Sequence, residues 1–318
     1  MPVSILHLKS ESTDDEKDIL AGLCKPQKQI SPKYFYDHAG SKLFELICEQ
    51  PEYYPTRIEL EIMESHIDEI SSLIGAKASI IEFGSGSSIK TRLLLNYLVE
   101  PAAYVPVDIS LEPLGKAAEE IAREFPNVEV LPVCADFTQP FELPSPRVMP
   151  ARNLVFFPGS TIGNFTKAEA VNLLRVMREE AKEGGALLIG VDLIKSKEML
   201  EPAYNDAAGI TANFNLNLLK HLNREYAANF DIQAFRHEAV FDQNNSRIEM
   251  RLVSLEDQQV SVAGGMFELE QGEYIVTEYS HKYSIEQFES MSKAAGFSLK
   301  SVWTDAQNLF SVQYLEAA

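Results

Sequence analysis

The sequence is poor in cysteine and in positive charge. Its three cysteines, Cys24, Cys48 and Cys134, are scattered through 318 residues. They are too few for a disulfide framework or a four-thiolate zinc centre, and read as thiols of a reducing compartment. The six histidines form no HxH or HxxxH pair, so no metal centre is expected. Lys and Arg number 28 against 47 Asp and Glu, a net charge of −19. Such a field repels phosphate backbones and anionic headgroups, which argues against nucleic acid and membrane as partners. No apolar run reaches the roughly 18 residues of a membrane span, and the first residues lack the basic-then-apolar order of a secretory leader. Neither GxxxxGKS/T nor GxSxG occurs, so a phosphate loop and a serine nucleophile elbow are both missing. These absences describe a cytoplasmic protein, expected to work as a monomer on a small molecule.

What is present is an ordinary globular composition, 45% hydrophobic and 24% charged, with a strand and helix rhythm that begins near residue 79. Apolar runs at Ser79–Phe83, Tyr104–Val107, Val128–Val133, Asn153–Phe157 and Gly185–Leu193 read as strands. Helical periodicity separates them over Lys90–Leu98, Leu111–Phe125 and Lys167–Glu183. That alternation predicts an α/β fold with a doubly wound, mostly parallel sheet whose ligands sit beyond the carboxyl ends of the strands. After Lys195 the pattern turns helical to Asn229, then alternates as antiparallel strands from Ala234 to Tyr283. A helix over Ser284–Ala295 and strands at Leu299–Trp303 and Phe310–Leu315 return to the first sheet. Residues 57–195 and 284–318 are therefore expected to form one domain, and residues 1–56 and 196–283 a second, α+β domain.

The first strand ends in Glu82-Phe83-Gly84-Ser85-Gly86. Glycines there permit a tight turn and close backbone approach to a ligand, with a helix N-terminus following. The third glycine of a dinucleotide fingerprint would fall on Ile89, which disfavours a NAD-dependent dehydrogenase. Asp108 ends the second strand, placed to accept from both hydroxyls of a ribose, and Asp136 follows the third, within reach of an adenine amino group. Acidic residues after three successive strands, Glu82 among them, suit a nucleoside carrying a cationic sulfonium better than a pyrophosphate. S-adenosylmethionine is the cofactor this pattern predicts. The fourth strand runs into Gly159-Ser-Thr-Ile-Gly-Asn164, where the Asn164 carboxamide oxygen can accept from an amine N–H. Taken singly, Asn164 reads first as a helix cap or turn residue, Glu278 as an exposed strand residue, and Tyr53 and Met250 as ordinary packing.

The motifs together are more specific. Ser31-Pro-Lys-Tyr-Phe-Tyr-Asp-His-Ala-Gly-Ser-Lys-Leu-Phe44, Pro51-Glu-Tyr-Tyr-Pro-Thr-Arg57, the two glycine motifs, Tyr204-Asn-Asp-Ala-Ala-Gly-Ile-Thr-Ala212, Arg247-Ile-Glu-Met250 and Thr277-Glu-Tyr-Ser280 occur in this order over nearly the whole chain. The sequence thereby resembles the histidine-specific methyltransferases of ergothioneine biosynthesis. The resemblance implies a Rossmann-like class I methyltransferase domain beside a substrate-binding domain. It also implies S-adenosylmethionine-dependent trimethylation of the α-amino group of L-histidine to hercynine, with S-adenosylhomocysteine as the spent cofactor. Carried onto matching positions, it places the carboxylate on Tyr53 and Tyr204 and the amine on Asn164 and the Gly159 carbonyl. The imidazole falls to Glu278 and Ser280, while Tyr36, Phe44 and Met250 shape the pocket. Asn164 and Tyr36 stand closest to the chemistry. Gly84, Ser85, Gly86, Lys90, Asp108 and Asp136 would hold the cofactor. Two alternatives stay open: an N-methyltransferase for another aromatic amino acid such as tryptophan, and a non-catalytic S-adenosylmethionine-binding regulator.

Overall fold

The strands Ala78–Phe83, Ala103–Asp108 and Ala186–Asp192 are almost wholly buried, because each sends alternate apolar side chains to opposite faces of one sheet. The computed structural model describes residues 3–8, 13–86, 88–139 and 141–318; Ser87, beside the first glycine motif, lies outside the described residues. Seven strands precede residue 195: β1 (Leu6–His7), β2 (Ala78–Phe83), β3 (Ala103–Asp108), β4 (Glu129–Val130), β5 (Val133–Cys134), β6 (Arg152–Phe157) and β7 (Ala186–Asp192). In β2, Ile81 and Phe83 point to one core with Leu173, Leu174 and Met177 of the helix Lys167–Ala181. Ile80 points to the other core, with Ile62, Met63, Ile67 and Ile70 of the helix Tyr54–Ile74.

The next five strands form a separate compact unit with the segment that ends at Tyr54. β8 (Phe235–Asp242), β9 (Arg247–Ser254) and β12 (Tyr274–His281) make an antiparallel sheet in the order β12-β9-β8, and β10 (Gln258–Val262) pairs with β11 (Gly265–Leu269) as a hairpin. Phe214 of the helix Ile210–Glu225 stacks on Phe35 with ring centroids 4.4 Å apart. The long helical stretch read after Lys197 is two helices, Lys197–Tyr204 and Ile210–Glu225. Asp206 causes the break: its carboxylate accepts from the N–H groups of Ile210 and Thr211, capping a new helix after Gly209 at φ +70°.

The chain then rejoins the first unit through Lys282, the helix Ile285–Ala294, β13 (Phe297–Thr304) and β14 (Phe310–Ala317). The large sheet runs β1-β5-β3-β2-β6-β7-β14-β13, with β4 also on β3. All pairings are parallel up to β7, and β14 inserts antiparallel between β7 and β13. The α/β class and the mostly parallel, doubly wound sheet expected from the sequence are those of the structure.

Two local readings differ. The strand expected over Val128–Val133 is split into β4 and β5, because Pro132 has no N–H to give the ladder. The N-terminal residues, grouped by sequence with the second domain, add β1 to the first unit: Leu6 N–H donates to the Pro132 carbonyl at 3.0 Å, and Leu8 N–H to Cys134 at 2.9 Å. A strand of two residues gives no periodicity signal, so this edge strand was not readable.

One ionic contact is buried where the last strands rejoin. The Lys282 ammonium lies 2.7 Å from the Asp192 carboxylate, both side chains 1% exposed. Removing one partner of such a pair strands the other charge without its counter-ion. Lys282→Met should lower unfolding free energy in urea by about 3–5 kcal/mol. A paired Asp192→Leu change should recover much of that loss, and a single-variant cost under about 1 kcal/mol would contradict the assignment.

Candidate functional site

At the carboxyl edge of the parallel sheet, the turn after β2 has Gly84 at φ +73° and Gly86 at φ +40°, conformations that L side chains rarely adopt. Gly84 N–H is tied to the Val107 carbonyl at 2.8 Å, which brings the turn alongside the end of β3. Ser85 is buried within the turn, and Ser88, in the left-handed region, leads into the helix Ile89–Tyr97. Asp108 at the end of β3 accepts from the backbone N–H of Ser110 at 2.9 Å. Burial nonetheless pushes its carboxyl above the ordinary range. Ala135 N–H donates to the Asp108 carbonyl at 3.1 Å, so the loop after β5 begins beside it. In that loop Asp136 Oδ1 accepts from Thr138 N–H at 3.0 Å and from its hydroxyl at 2.6 Å. The structure thus gathers Gly84, Ser85, Gly86, Asp108 and Asp136 on adjacent strand ends.

Lys90 follows one turn later, and its ammonium is paired with Glu59 on the helix Tyr54–Ile74. Glu59, only 1% exposed, also accepts the Gly159 N–H on both oxygens, at 2.8 and 3.0 Å. Gly159 at φ +82° and Ser160 at φ +55° reverse the chain after β6. The turn Thr161–Asn164 follows, closed by Gly163 N–H on the Ser160 carbonyl at 2.8 Å. Asp192 N–H donates to the Ser160 hydroxyl at 2.9 Å, anchoring the turn to the end of β7. Gly159 and Asn164 therefore sit on one short, doubly anchored segment.

The reading of Glu82 needs correction. Expected to face a cation, it points instead into the helix-covered core at 2% exposure, where the Tyr104 hydroxyl donates to it. Side-chain alternation explains this: Phe83 and Ile81 take one face of β2, which leaves Glu82 on the face of Ile80. Burial pushes the Glu82 carboxyl up to about 7, despite the hydrogen bond from Tyr104.

The remaining expected residues lie in the second unit, and the structure brings them together. Ring centroids of Tyr36 and Phe44 are 5.9 Å apart, those of Phe44 and Tyr53 6.3 Å, and those of Tyr53 and Tyr204 6.2 Å. The Tyr204 hydroxyl lies 2.7 Å from the Ser280 hydroxyl. Glu278 is registered opposite Met250 across the β12–β9 pair, and Ser280, two residues on, shares its face. Tyr279 takes the other face, under the Arg247 guanidinium at 3.8 Å. Burial, reinforced by Tyr204 and Glu278 nearby, holds the Tyr53 phenol well above its ordinary range, so it stays a donor.

Sequence reasoning missed the groups that position these side chains. A register shift between Val276 and Glu278 turns Thr277 inward, where its hydroxyl donates to Asn215 Oδ1 at 2.7 Å. The Asn215 amide is 2.9 Å from His237 Nδ1, and His237 Nε2 is 2.8 Å from the Tyr204 carbonyl. Burial holds His237 below its ordinary pKa, which favours the neutral ring with Nδ1 accepting and Nε2–H donating. One directed chain of hydrogen bonds thus joins the backbone beside Glu278 to the backbone of Tyr204. The available signal was Asn215, in the alternating run Asn213, Asn215 and Asn217 of its helix. For Glu59 the signal was an acid one residue from Ile58 and three from Ile62 on the apolar stripe of its helix.

A parallel sheet with this strand order, a glycine turn after its first central strand and carboxylates on the next two strand ends define an S-adenosylmethionine-dependent methyltransferase of the Rossmann-like class I type. The residues present fit that cofactor: a carboxylate at the end of β3 and a glycine turn after β2 whose backbone a ligand can approach closely. Comparison with known proteins narrows the class. Residues 15–317 match the family described as histidine-specific methyltransferase, SAM-dependent. A histidine N-alpha-methyltransferase of Mycolicibacterium smegmatis is 39% identical over 301 residues, covering 93% of this chain and 92% of that protein. Ergothioneine biosynthesis protein 1 of Neurospora crassa is 30% identical over 285 residues, 87% of this chain and 32% of that longer protein. An L-tryptophan methyltransferase of Psilocybe serbica is 25% identical over 330 residues, 94% of this chain and 92% of that one. This chain belongs to the histidine-specific, S-adenosylmethionine-dependent methyltransferase family.

The Glu82 carboxyl makes a pH prediction. A buried acid with a raised pKa binds more protons folded than unfolded, so its contribution is present below about 4.5 and lost as pH rises through about 7. Glu82→Gln keeps an acceptor for Tyr104, and its stability advantage over the parent should widen by about 2–3 kcal/mol between pH 5 and pH 8. An advantage equal at both pH values in thermal unfolding would contradict this placement.

Proposed function

We propose that this enzyme methylates the α-amino nitrogen of L-histidine three times, giving hercynine, the first step of ergothioneine biosynthesis. The observation that carries the reading is the convergence of Tyr53, Tyr204, Met250, Glu278 and Ser280 through ring contacts, a 2.7 Å hydroxyl pair and one strand register. A zwitterionic amino acid with a ring N–H matches that set. The reading further has the enzyme working as a cytoplasmic monomer, with no nucleic acid or membrane partner, in keeping with its −19 charge.

When bound, S-adenosylmethionine supplies an electrophilic methyl on a sulfonium, for which Gly84, Ser85, Gly86, Lys90, Asp108 and Asp136 form the binding set. The protein's part is alignment and exclusion of water. Tyr53 and Tyr204 donate to the substrate carboxylate; the raised pKa of Tyr53 keeps its proton in place for that bond. The Asn164 carboxamide oxygen and the Gly159 carbonyl accept from the amine N–H groups and turn its lone pair toward the methyl. No strong base is required, since the amine can release its proton to solvent between transfers. As methyl groups accumulate, the cationic nitrogen gains attraction from tyrosine faces, Tyr36 among them. Glu278 and Ser280 grip the imidazole, and Phe44 and Met250 set the pocket width.

Specificity then rests on Glu278. A half-buried carboxylate built to meet an N–H disfavours a side chain that offers it no donor. Glu278→Ala should reduce kcat/KM for histidine by about 100-fold while calorimetric affinity for S-adenosylhomocysteine stays within about threefold. Equal losses in both would remove Glu278 from the imidazole site. Side-by-side turnover of histidine, tryptophan and tyrosine should favour histidine, and a preference for tryptophan would replace this substrate assignment.

A further inference from the structure

We propose that Glu59 is a positioning residue that sets the amine-holding turn against the cofactor-holding helix. The inference rests on the proposed role of Gly159 and Asn164 in holding the amine. Three observations meet at one carboxylate. Its two oxygens take the Gly159 N–H at 2.8 and 3.0 Å, at the first of two consecutive left-handed residues that reverse the chain after β6. Its charge is paired with Lys90, on the first turn of the helix that follows the Gly84–Gly86 turn. Its space is provided by Gly190 in β7: a Cβ there would lie 1.9 Å from Glu59 Oε1 and 2.7 Å from its Cδ.

Gly190 is at an extended strand position and carries no conformational demand for glycine. What a side chain would strike there is chiefly Glu59, with Phe310 next at 3.1 Å. The strand therefore omits a side chain where the carboxylate must reach through to the turn. A carboxylate this buried is stable only with a counter-ion and donors, and Lys90 and Gly159 supply both. The two turns that the reaction must bring into line thus share one rigid link. In an in-line displacement a small misplacement of the amine acts on the transition state more than on binding of either ligand.

The test uses the full chain with Glu59→Ala, Glu59→Gln, Gly190→Ala and the double variant Glu59→Ala/Gly190→Ala. Measured are kcat and KM for histidine, calorimetric affinity for S-adenosylhomocysteine, and Tm. Glu59→Ala and Gly190→Ala should each lower kcat by at least about tenfold, with cofactor affinity changed by less than about threefold. Glu59→Gln, which still accepts from Gly159, should recover much of the kcat lost in Glu59→Ala. In the double variant the methyl group added at position 190 meets no carboxylate, so kcat should equal that of Glu59→Ala alone. Losses that multiply in the double variant, or losses confined to cofactor affinity, would overturn the proposal. If Glu59→Ala fails to fold, Gly190→Ala decides: an unchanged kcat at near-parental Tm overturns it, and a loss that spares cofactor affinity supports it. Full turnover in Asn164→Ala would instead remove the amine assignment, leaving the Glu59–Gly190 coupling visible in the same non-additive kcat values.

Discussion

Desolvation of carboxylates at the carboxyl edge of a parallel sheet is the constraint on which the first unit depends. Parallel strands deliver every following loop to one edge, and buried polar groups there must find partners within the protein. Four acids meet that requirement in three ways. Glu59 has Lys90, Asp192 has Lys282, Asp108 has the Ser110 backbone N–H, and Glu82 has the Tyr104 hydroxyl. The pairings with cations tie helices and strands distant in sequence, while Asp108 stays at the strand end where a ribose would be met. Glu82 lacks a counter-ion of its own, and its pKa rises accordingly.

The second unit solves a different problem. A pocket for an amino acid, the role proposed for this unit, needs donors and acceptors held in fixed directions, and long strands and helices set only the coarse position. The bulge at Thr277 and the neutral ring of His237 supply the finer control, because each hydrogen bond in the chain from Thr277 through Asn215 and His237 to Tyr204 has a defined donor and acceptor. Aromatic packing from Tyr36 to Tyr204 fills the remaining space without mobile side chains.

Much of this was legible in the residues. Uninterrupted apolar runs announced the parallel strands, and glycine at 84 and 86 announced a turn that needs positive φ. The edge strand Leu6–His7 was not legible because two residues carry no period, and the division of the third strand followed from Pro132. The roles of Glu59, Asn215 and His237 depend on contacts 100, 62 and 33 residues apart in sequence, which no local pattern encodes. Glu82 shows the opposite failure: its place in the motif suggested a ligand, while strand alternation turned it into the core. The expected pocket residues came from the resemblance of whole motifs, since each alone reads as packing or surface.

The account has an acidic, small-molecule enzyme in which the substrate is recognised at three points: carboxylate, amine and ring N–H. On the proposed reading only the amine receives methyl groups. Incubating the full chain with L-histidine and S-adenosylmethionine, then following the product by mass and proton NMR, tests this most directly. The account predicts three S-adenosylhomocysteine molecules released per histidine consumed, a single trimethylammonium resonance and an unmethylated ring. A ring N-methyl resonance, or no methylated histidine from a chain that binds S-adenosylmethionine, would contradict it.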